Sequence, residues 1–370
     1  MESKIIRFSN STFESNISKF PVSLDVDFSG FFGNNTVFNA NIYKISAILS
    51  SVIYAYIALD GQSAESVLER LGMSKIKRYK LSGLESNNHI SHMVIGYRDV
   101  THGVRSKRIF SITIRGTQTT VGEWLSNFDI GANHEFWGDV DNHKGFDIAA
   151  SSFESRIEEY INTNASNSAD TVLWFCGHSR GAAISDILAA KFSGKYEVLA
   201  YNFAAPSTTT SSKKGSFGNI FNIINSEDLA PMIPFKEWGY GRYGKSCFFS
   251  FSSEKNAVNL FEAYTNKKYP CDNTESKVKK ISEILLKMFP EKELFASERT
   301  AGLFKEVAAS ALAGKDIAPV LIKAACDGRI RISPLDIAIL IPEIPNLMAK
   351  DLKESIEFAH RQDTYVIAAL

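Results

Sequence analysis

The sequence lacks the features that mark disulfide-rich or nucleic-acid-binding chains. Its four cysteines, at 176, 247, 271 and 326, have no C-x-x-C spacing, which favours buried free thiols over a disulfide framework. Lysine and arginine together number 41, as do aspartate and glutamate. Because no basic tract interleaved with aromatic residues stands out, we expect no nucleic-acid partner.

Long apolar runs and a secretory signal are also missing. The most apolar stretch, residues 42–59, is interrupted by polar residues such as Lys44 and Ser50, so no segment has the composition of a transmembrane span. Residues 1–21 lack a basic segment followed by an apolar one, as a signal peptide requires. These absences predict a soluble protein that is cytoplasmic or exported by a leaderless route.

What the sequence does contain is a G-x-S-x-G pentapeptide between a predicted strand and a predicted helix. Residues 172–176 form a short apolar run, and residues 182–190 continue with helical spacing. The letters GHSRG at 177–181 therefore predict a nucleophile elbow, a turn so tight that side chains at its first and last positions would collide with backbone. Ser179 is expected at its tip, with the hydroxyl exposed.

The surrounding pattern predicts an α/β fold with a mainly parallel sheet and helices on both faces. Predicted strands cover 76–81, 90–97, 108–114, 172–176, 196–204 and 220–224, and predicted helices cover 42–59, 63–71, 146–161 and 182–192. Ligands of such sheets lie at the carboxyl ends of the strands. We therefore expect Thr117, Ser179 and Asp228, which follow three of these strands, at one edge of the sheet.

The chain divides into four predicted segments. Residues 1–41 form a phenylalanine-rich N-terminal arm, residues 42–268 the α/β-hydrolase core, residues 269–351 a helical insertion, and residues 352–370 a C-terminal return to the core. The insertion is a candidate cap or lid. Its apolar stripes at helical spacing fit packing on the flank of the core equally well.

A serine nucleophile needs a base to take its proton and an acid to hold that base. In hydrolases with this elbow the chain order is Ser, then Asp or Glu, then His. Asp228 follows a predicted strand and is the candidate acid, with Glu227 as its rival. Of the seven histidines only His360 lies after Asp228, so it is the candidate base. The alternatives are a turn-forming aspartate and a surface histidine.

The tetrahedral intermediate of acyl transfer also needs hydrogen-bond donors for its oxyanion. One donor is expected from the backbone N–H of Arg180, the residue after the nucleophile. The second is expected from Thr117, which follows the predicted strand 108–114 and Gly116. The alternative for residues 115–117 is a turn that only ends the strand. This chemistry requires no metal and no cofactor.

Taken together, these motifs resemble the class 3 lipases, the fungal-lipase-like branch of the α/β-hydrolase superfamily. The motifs are IRGT at 114–117, Trp124, HKGF at 143–146, GHSRG at 177–181, NSEDLAP at 225–231 and His360, and WGYGRY at 238–243 is similar to bacterial members. The resemblance covers residues 90–243 and the C-terminal tail. It implies a triad of Ser179, Asp228 and His360, an oxyanion residue at Thr117 and a structural role for His143.

The resemblance implies a serine esterase or lipase that hydrolyses carboxylic ester bonds of lipid-like substrates, either acylglycerols or phospholipids. A lipid or small ester is the expected partner, and transient contact with a membrane or lipid interface is left open. Two alternatives use the same residues differently. One is a catalytically silent lipase-like scaffold that binds a ligand, and the other is a serine peptidase.

The sequence departs from the family pattern in several places. Arg180 stands where Leu is usual, Asn127 where Asp is common and Ala204 where Gly is usual, and the interval between the acid and the base is much longer. We expect the Arg180 side chain to brace the elbow helix by pairing with a carboxylate, in preference to an anionic group of a substrate. Residues 120–128 and the helical insertion compete as the lid.

Overall fold

The computed structural model describes residues 2–9, 19–54, 63–81, 91–116, 134–135, 141–270, 274–288, 303, 306, 318–328, 330 and 358–370. Thr117, the lid candidate at 120–128 with Trp124 and Asn127, and most of the predicted insertion lie outside these residues.

A seven-stranded sheet organises the described residues. The strands are β1 (Glu2–Ser9), β2 (Lys19–Val26), β3 (Ser74–Leu81), β4 (Ser91–His102), β5 (Arg105–Ile114), β6 (His134–Glu135), β7 (Asp141–Asn142), β8 (Asp170–His178), β9 (Glu197–Phe203), β10 (Phe217–Asn225) and β11 (Gly244–Phe249). The main sheet has the order β11-β10-β9-β8-β5-β4-β3. Strands β5, β8, β9, β10 and β11 pair in parallel, whereas β4 is antiparallel to β5 and β3 to β4.

Helices cover both faces of this sheet. They are α1 (Ala40–Val52), α2 (Ala64–Arg70), α3 (Lys144–Thr163), α4 (Arg180–Phe192), α5 (Lys255–Thr265), α6 (Thr274–Met288), α7 (Ala318–Cys326) and α8 (Gln362–Ala369). Helices α3 and α4 bury residues such as Phe153 and Ile187 on one face. Helices α1, α5 and α8 bury Ile48, Phe261 and Val366 on the other. The prediction of an α/β-hydrolase fold is confirmed.

Strand β8 explains why a continuous apolar run precedes the elbow. Side chains alternate between the two faces of a strand. Val172, Trp174 and Cys176 join the core under α1, while Leu173 and Phe175 join the core under α3 and α4. Because helices cover both faces, every position of this central strand from Val172 to Cys176 is buried and apolar.

The ends of α2 follow from its sequence. The Ser63 side chain caps the first turn by accepting a backbone hydrogen bond. At the other end Gly72 has a φ of 75°, which glycine adopts without the steric cost of a side chain. The N–H groups of Gly72 and Met73 then donate to the carbonyls of Glu69 and Leu68, a Schellman motif. The helix predicted over 63–71 therefore ends where its sequence indicates.

Several predicted elements differ from the structure. Helix α1 ends at Val52, short of the predicted 59, because residues 53 and 54 form a turn that brings the Tyr54 hydroxyl to 3.2 Å from His178 Nδ1. The pairing of β1 with β2, strand β11 and helix α5 have no counterpart among the predictions. None of the helices in the described ranges is long and apolar enough to cross a membrane.

The aromatic residues after β2 pack the N-terminal arm onto the sheet. Phe28 and Phe31 are buried, and their ring centroids lie 6.4 and 5.5 Å from that of Trp174. The buried Lys107 ammonium donates to the Phe31 carbonyl at 2.7 Å and to the Glu197 carboxylate. A buried charge of this kind requires such partners, so the salt bridge also holds the arm in place.

The described cysteines are free thiols. Cys176 is buried, Cys247 is half-buried and Cys326 is exposed, and Cys271 lies outside the described residues. The expectation of buried thiols is therefore met by Cys176 and is wrong for Cys326, which lies at the end of a surface helix.

Replacement of Ile157 in α3 tests the core on the face that carries the elbow helix. Its side chain is fully buried, so Ile157→Ala is expected to lower the free energy of unfolding by about 2–5 kcal/mol through lost contacts and a cavity. Urea denaturation measures the change. Ser155→Ala on the exposed side of the same helix is the matched control and should change stability by less than about 0.5 kcal/mol. Equal losses would contradict this packing.

Candidate active site

The turn between β8 and α4 holds Ser179 in a strained conformation. Its φ of 57° and ψ of −129° lie in a region that costs non-glycine residues on the order of 1–3 kcal/mol. Backbone bonds on both sides maintain this conformation, because the Ser179 N–H donates to the Phe203 carbonyl at 2.9 Å and its carbonyl accepts from Ala183 N at 3.1 Å. Such strain, fixed by surrounding structure, is typical of functional sites.

Three glycines allow the backbone to approach itself around this turn. A Cβ at Gly177 would lie 2.6 Å from the Gly181 carbonyl oxygen, and one at Gly181 would lie 2.2 Å from the Ile114 carbonyl oxygen. A Cβ at Gly116 would lie 2.7 Å from the His178 carbonyl oxygen. The predicted steric reason for glycine at both ends of the elbow agrees with these distances.

Ser179, His360 and Asp228 lie in hydrogen-bonding sequence. The Ser179 Oγ lies 2.9 Å from His360 Nε2, and His360 Nδ1 lies 2.8 Å from Asp228 Oδ2. The strand order places Asp228 after β10, two strands from β8 in the sheet. Ser179 is only 4% exposed, so the expectation of an exposed hydroxyl is wrong. The backbone at Gly116 and the imidazole of His360 pack against it.

Asp228 is fully buried and accepts two hydrogen bonds besides its contact with His360. The Tyr365 hydroxyl donates to Oδ2 at 2.8 Å, and the Ala230 N–H donates to Oδ1 at 2.9 Å. Burial, together with the charge of Asp228, raises the pKa of Tyr365 well above its ordinary value. Its hydroxyl therefore keeps its proton and orients the carboxylate as a donor.

Glu227, the rival carboxylate, is directed to a different place. Its Oε1 accepts from the Ser250 hydroxyl at 2.7 Å and from the Ser252 N–H and hydroxyl at 2.8 and 2.6 Å, and its Oε2 accepts from the Tyr269 hydroxyl at 2.7 Å. These contacts anchor the loop after β11 and the chain after α5. Of the two neighbouring carboxylates, the structure brings only Asp228 to within hydrogen-bond distance of His360.

The Arg180 side chain is buried away from the Ser179 hydroxyl. Its Nη1 donates to the Ser91 hydroxyl at 2.6 Å, and its Nη2 donates to the Gly145 carbonyl at 3.3 Å. The expected brace of the elbow helix thus includes a hydroxyl on β4 and a carbonyl on α3. Arg180 is the first residue of α4. At this end of a helix, backbone N–H groups and the helix dipole favour negative charge.

The second predicted oxyanion donor, Thr117, lies outside the described residues. Its neighbour Gly116 is described, and a Cβ there would lie 3.3 Å from the Ser179 Cβ. The chain that leads to Thr117 therefore passes directly beside the nucleophile candidate.

The family model described as lipase (class 3) matches residues 111–238. Over these residues the chain is similar to the class 3 lipases. The match includes Ser179 and Asp228, and His360 lies beyond its end. It supports a lipase-type carboxylic ester hydrolase.

Solved structures of fungal lipases are also similar to this chain. A lipase from Rhizopus microsporus var. chinensis is 10% identical, with 61% of this chain and 76% of that chain covered and a TM-score of 0.42. A mono- and diacylglycerol lipase from Aspergillus oryzae is 16% identical, with 58% and 81% covered and a TM-score of 0.43. The Rhizomucor miehei lipase in a propeptide complex is 14% identical, with 57% and 68% covered and a TM-score of 0.40.

Several residues around the site were not predicted from the sequence. Tyr365 lies in the C-terminal segment 352–370, and a buried tyrosine there needs a partner for its hydroxyl. Arg242, within the WGYGRY stretch, donates from Nε to the Ala205 carbonyl at 2.6 Å and also to the Pro231 carbonyl. It therefore ties the loop that follows Asp228 to the end of β9.

Two histidines near the site, His143 and His178, are buried. His143 begins α3 and stacks on Phe146 with ring centroids 4.0 Å apart. Burial, aided by the nearby charge of Arg180, lowers the pKa of His143 to about 3. Burial and the neighbouring His360 lower the pKa of His178 well below its ordinary value. The environment of His143 fits the structural role that the family resemblance implies.

The buried neutral imidazole of His143 makes stability depend on pH. Its pKa of about 3 in the fold lies below the ordinary value of about 6.5. Its contribution is therefore complete above pH 6.5 and is lost as the pH falls from 6.5 towards 3, because the unfolded chain binds the proton first. Between pH 7 and pH 5, His143→Gln should lose about 2 kcal/mol less stability than the unchanged protein. Urea denaturation at both pH values measures this, and equal losses would contradict a neutral His143.

Proposed function

We propose that this chain is a serine hydrolase that cleaves carboxylic ester bonds of lipid-like substrates through Ser179, His360 and Asp228. The observation that carries the proposal is the hydrogen-bonded sequence from Ser179 Oγ through the imidazole to the Asp228 carboxylate, at 2.9 and 2.8 Å. Its setting on a strained strand-to-helix turn is the arrangement that activates a serine in α/β-hydrolases.

In the first half of the reaction His360 acts as base and then as acid. With its Nδ1–H donated to Asp228, Nε2 carries the lone pair that takes the Ser179 proton as Oγ attacks the acyl carbon. Asp228 stabilises the imidazolium that forms. The imidazolium then gives its proton to the leaving alcohol oxygen as the ester C–O bond breaks, which leaves an acyl-enzyme on Ser179.

The second half repeats these roles with water. His360 Nε2 takes a proton from water as the water oxygen attacks the acyl carbon, and it returns that proton to Ser179 Oγ when the acyl–serine bond breaks. The products are a carboxylic acid and the restored serine. No step requires a metal or a cofactor.

The oxyanion of each tetrahedral intermediate is assigned to the backbone N–H groups of Arg180 and Thr117. Two observations support the assignment: Arg180 begins α4, and Gly116 brings the chain before Thr117 beside Ser179. Loss of one such donor typically costs about 3–4 kcal/mol of transition-state stabilisation.

Acylglycerols or phospholipids are the proposed substrates, because the chain shares its elbow region with the class 3 lipases. A lipase from Aspergillus oryzae with a similar structure is described as acting on mono- and diacylglycerols. We extend only the ester class to this chain and propose lipid or small esters as its partners, with transient contact at a lipid interface.

Removal of the nucleophile is the direct test. Ser179→Ala should abolish hydrolysis of short p-nitrophenyl esters and covalent labelling by a fluorophosphonate, since no other group would supply the attacking oxygen. His143→Gln is the matched control and should leave labelling largely intact. An unchanged protein that fails to react with the fluorophosphonate would identify a catalytically silent scaffold, and labelling of Ser179→Ala would overturn the nucleophile assignment.

The two neighbouring carboxylates give a matched pair of substitutions. Asp228→Asn should lower kcat about 10⁴-fold, because an amide favours the wrong tautomer of the base. Glu227→Gln, which removes an equally buried charge one residue away, should lower kcat no more than roughly tenfold, since it disturbs positions but not the proton transfer. Steady-state kinetics on a p-nitrophenyl ester separates them. A larger loss from Glu227→Gln would reverse the assignment of the acid.

A further inference from the structure

His360 lies 132 residues after Asp228 in the chain, so nonlocal contacts must fix its position. The residue before it, Ala359, is fully buried at 1% exposure. The Ala359 carbonyl accepts a hydrogen bond from Asn225 Nδ2 at 3.4 Å. Asn225 is the last residue of β10, three positions before Asp228, so one side chain reaches from the strand of the acid to the backbone of the base.

Asn225 also reaches the acid itself through Tyr365. Its backbone N–H donates to the Tyr365 hydroxyl at 3.1 Å, and that hydroxyl donates to Asp228 Oδ2 at 2.8 Å. In addition, the Asn225 carbonyl accepts from the Asp228 N–H at 3.0 Å. The same fully buried residue therefore contacts the supports of both members of the acid–base pair.

The amide of Asn225 is oriented by residues at the start of the predicted insertion. Its Nδ2 has two hydrogens, and the second is donated to the Tyr269 hydroxyl at 3.4 Å. That hydroxyl in turn donates to Glu227 Oε2 at 2.7 Å. On the other side of the amide, Oδ1 accepts from the N–H groups of Glu227 and Phe251, each at 3.3 Å. Every polar atom of the Asn225 side chain thus has a partner.

The two ends of the predicted insertion meet at this cluster. Tyr269 is its first residue, and Phe358 lies seven residues beyond its predicted end. Their ring centroids are 6.3 Å apart, and both rings pack against Phe261 of α5. The residues that flank 270–357 therefore pack together beside Asn225.

We propose that Asn225 is a positioning residue for the acid–base pair, and that Tyr269 and Glu227 set the orientation of its amide. The first residue of the insertion is thereby coupled to the placement of His360. This inference rests on the proposed function, because it concerns how the proposed base is aligned. None of the three residues contacts the substrate or takes a proton.

The hydroxyl of Tyr269 offers the sharpest test. Tyr269→Phe keeps the ring packing and removes the hydrogen bonds to Asn225 and Glu227. The rate of fluorophosphonate labelling and kcat on a p-nitrophenyl ester should fall roughly tenfold or more, as small misplacements of reacting groups do, with KM changed less than about twofold because substrate contacts remain. Asn225→Ala should lower the labelling rate and kcat further. The endpoint of labelling counts folded sites, so the rate is compared per folded molecule.

Tyr160→Phe is the matched control. Its hydroxyl is also buried, donates to the Lys75 carbonyl at 2.7 Å and lies on the opposite face of the sheet. It should lower the melting temperature as Tyr269→Phe does and leave kcat unchanged. If Tyr269→Phe and Asn225→Ala both keep full kcat per labelled site, the positioning role is wrong while the proposed function stands. If the unchanged protein is not labelled at all, the proposed function itself fails.

Discussion

The structure depends on the close backbone contact between the elbow and the end of β5. The absence of a side chain at Gly181 lets α4 begin against the Ile114 carbonyl, where a Cβ would stand 2.2 Å away. That approach forces Ser179 to a positive φ, and the Phe203 carbonyl holds it there. The strain is sustained because two central parallel strands fix both sides of the turn.

The fixed position of Ser179 is useful only if its base, His360, is equally fixed. His360 lies 181 residues after Ser179 in the chain. In a sheet, strand pairing places Asp228 automatically, because β10 lies two strands from β8. His360 has no such strand. Its position relies on buried hydrogen bonds at Ala359 and Tyr365 and on the helix that follows it, which packs against α1 and joins the core.

Much of this arrangement could be predicted from sequence because its signals are local. Apolar runs ending in GHSRG predict the strand, the elbow and the helix, and chain order singles out His360 once Asp228 is chosen. The sequence favours Asp228 as the acid but leaves Glu227 as its rival, since both follow β10 and only side-chain direction separates them. Strand β11 was not predicted, because its residues do not show a clear alternation of buried and exposed positions.

Arg180 stands out in the sequence, but its partners are seen only in the fold. Sequence alone presents it as a departure from the family pattern beside the nucleophile, with a carboxylate or a substrate anion as its expected partner. In the fold its guanidinium reaches the Ser91 hydroxyl on β4 and the Gly145 carbonyl on α3. The side chain therefore joins the elbow helix to the antiparallel part of the sheet and to the helix beside it. A buried guanidinium with partners on separate elements fixes their relative position, so this substitution reinforces the turn that holds Ser179.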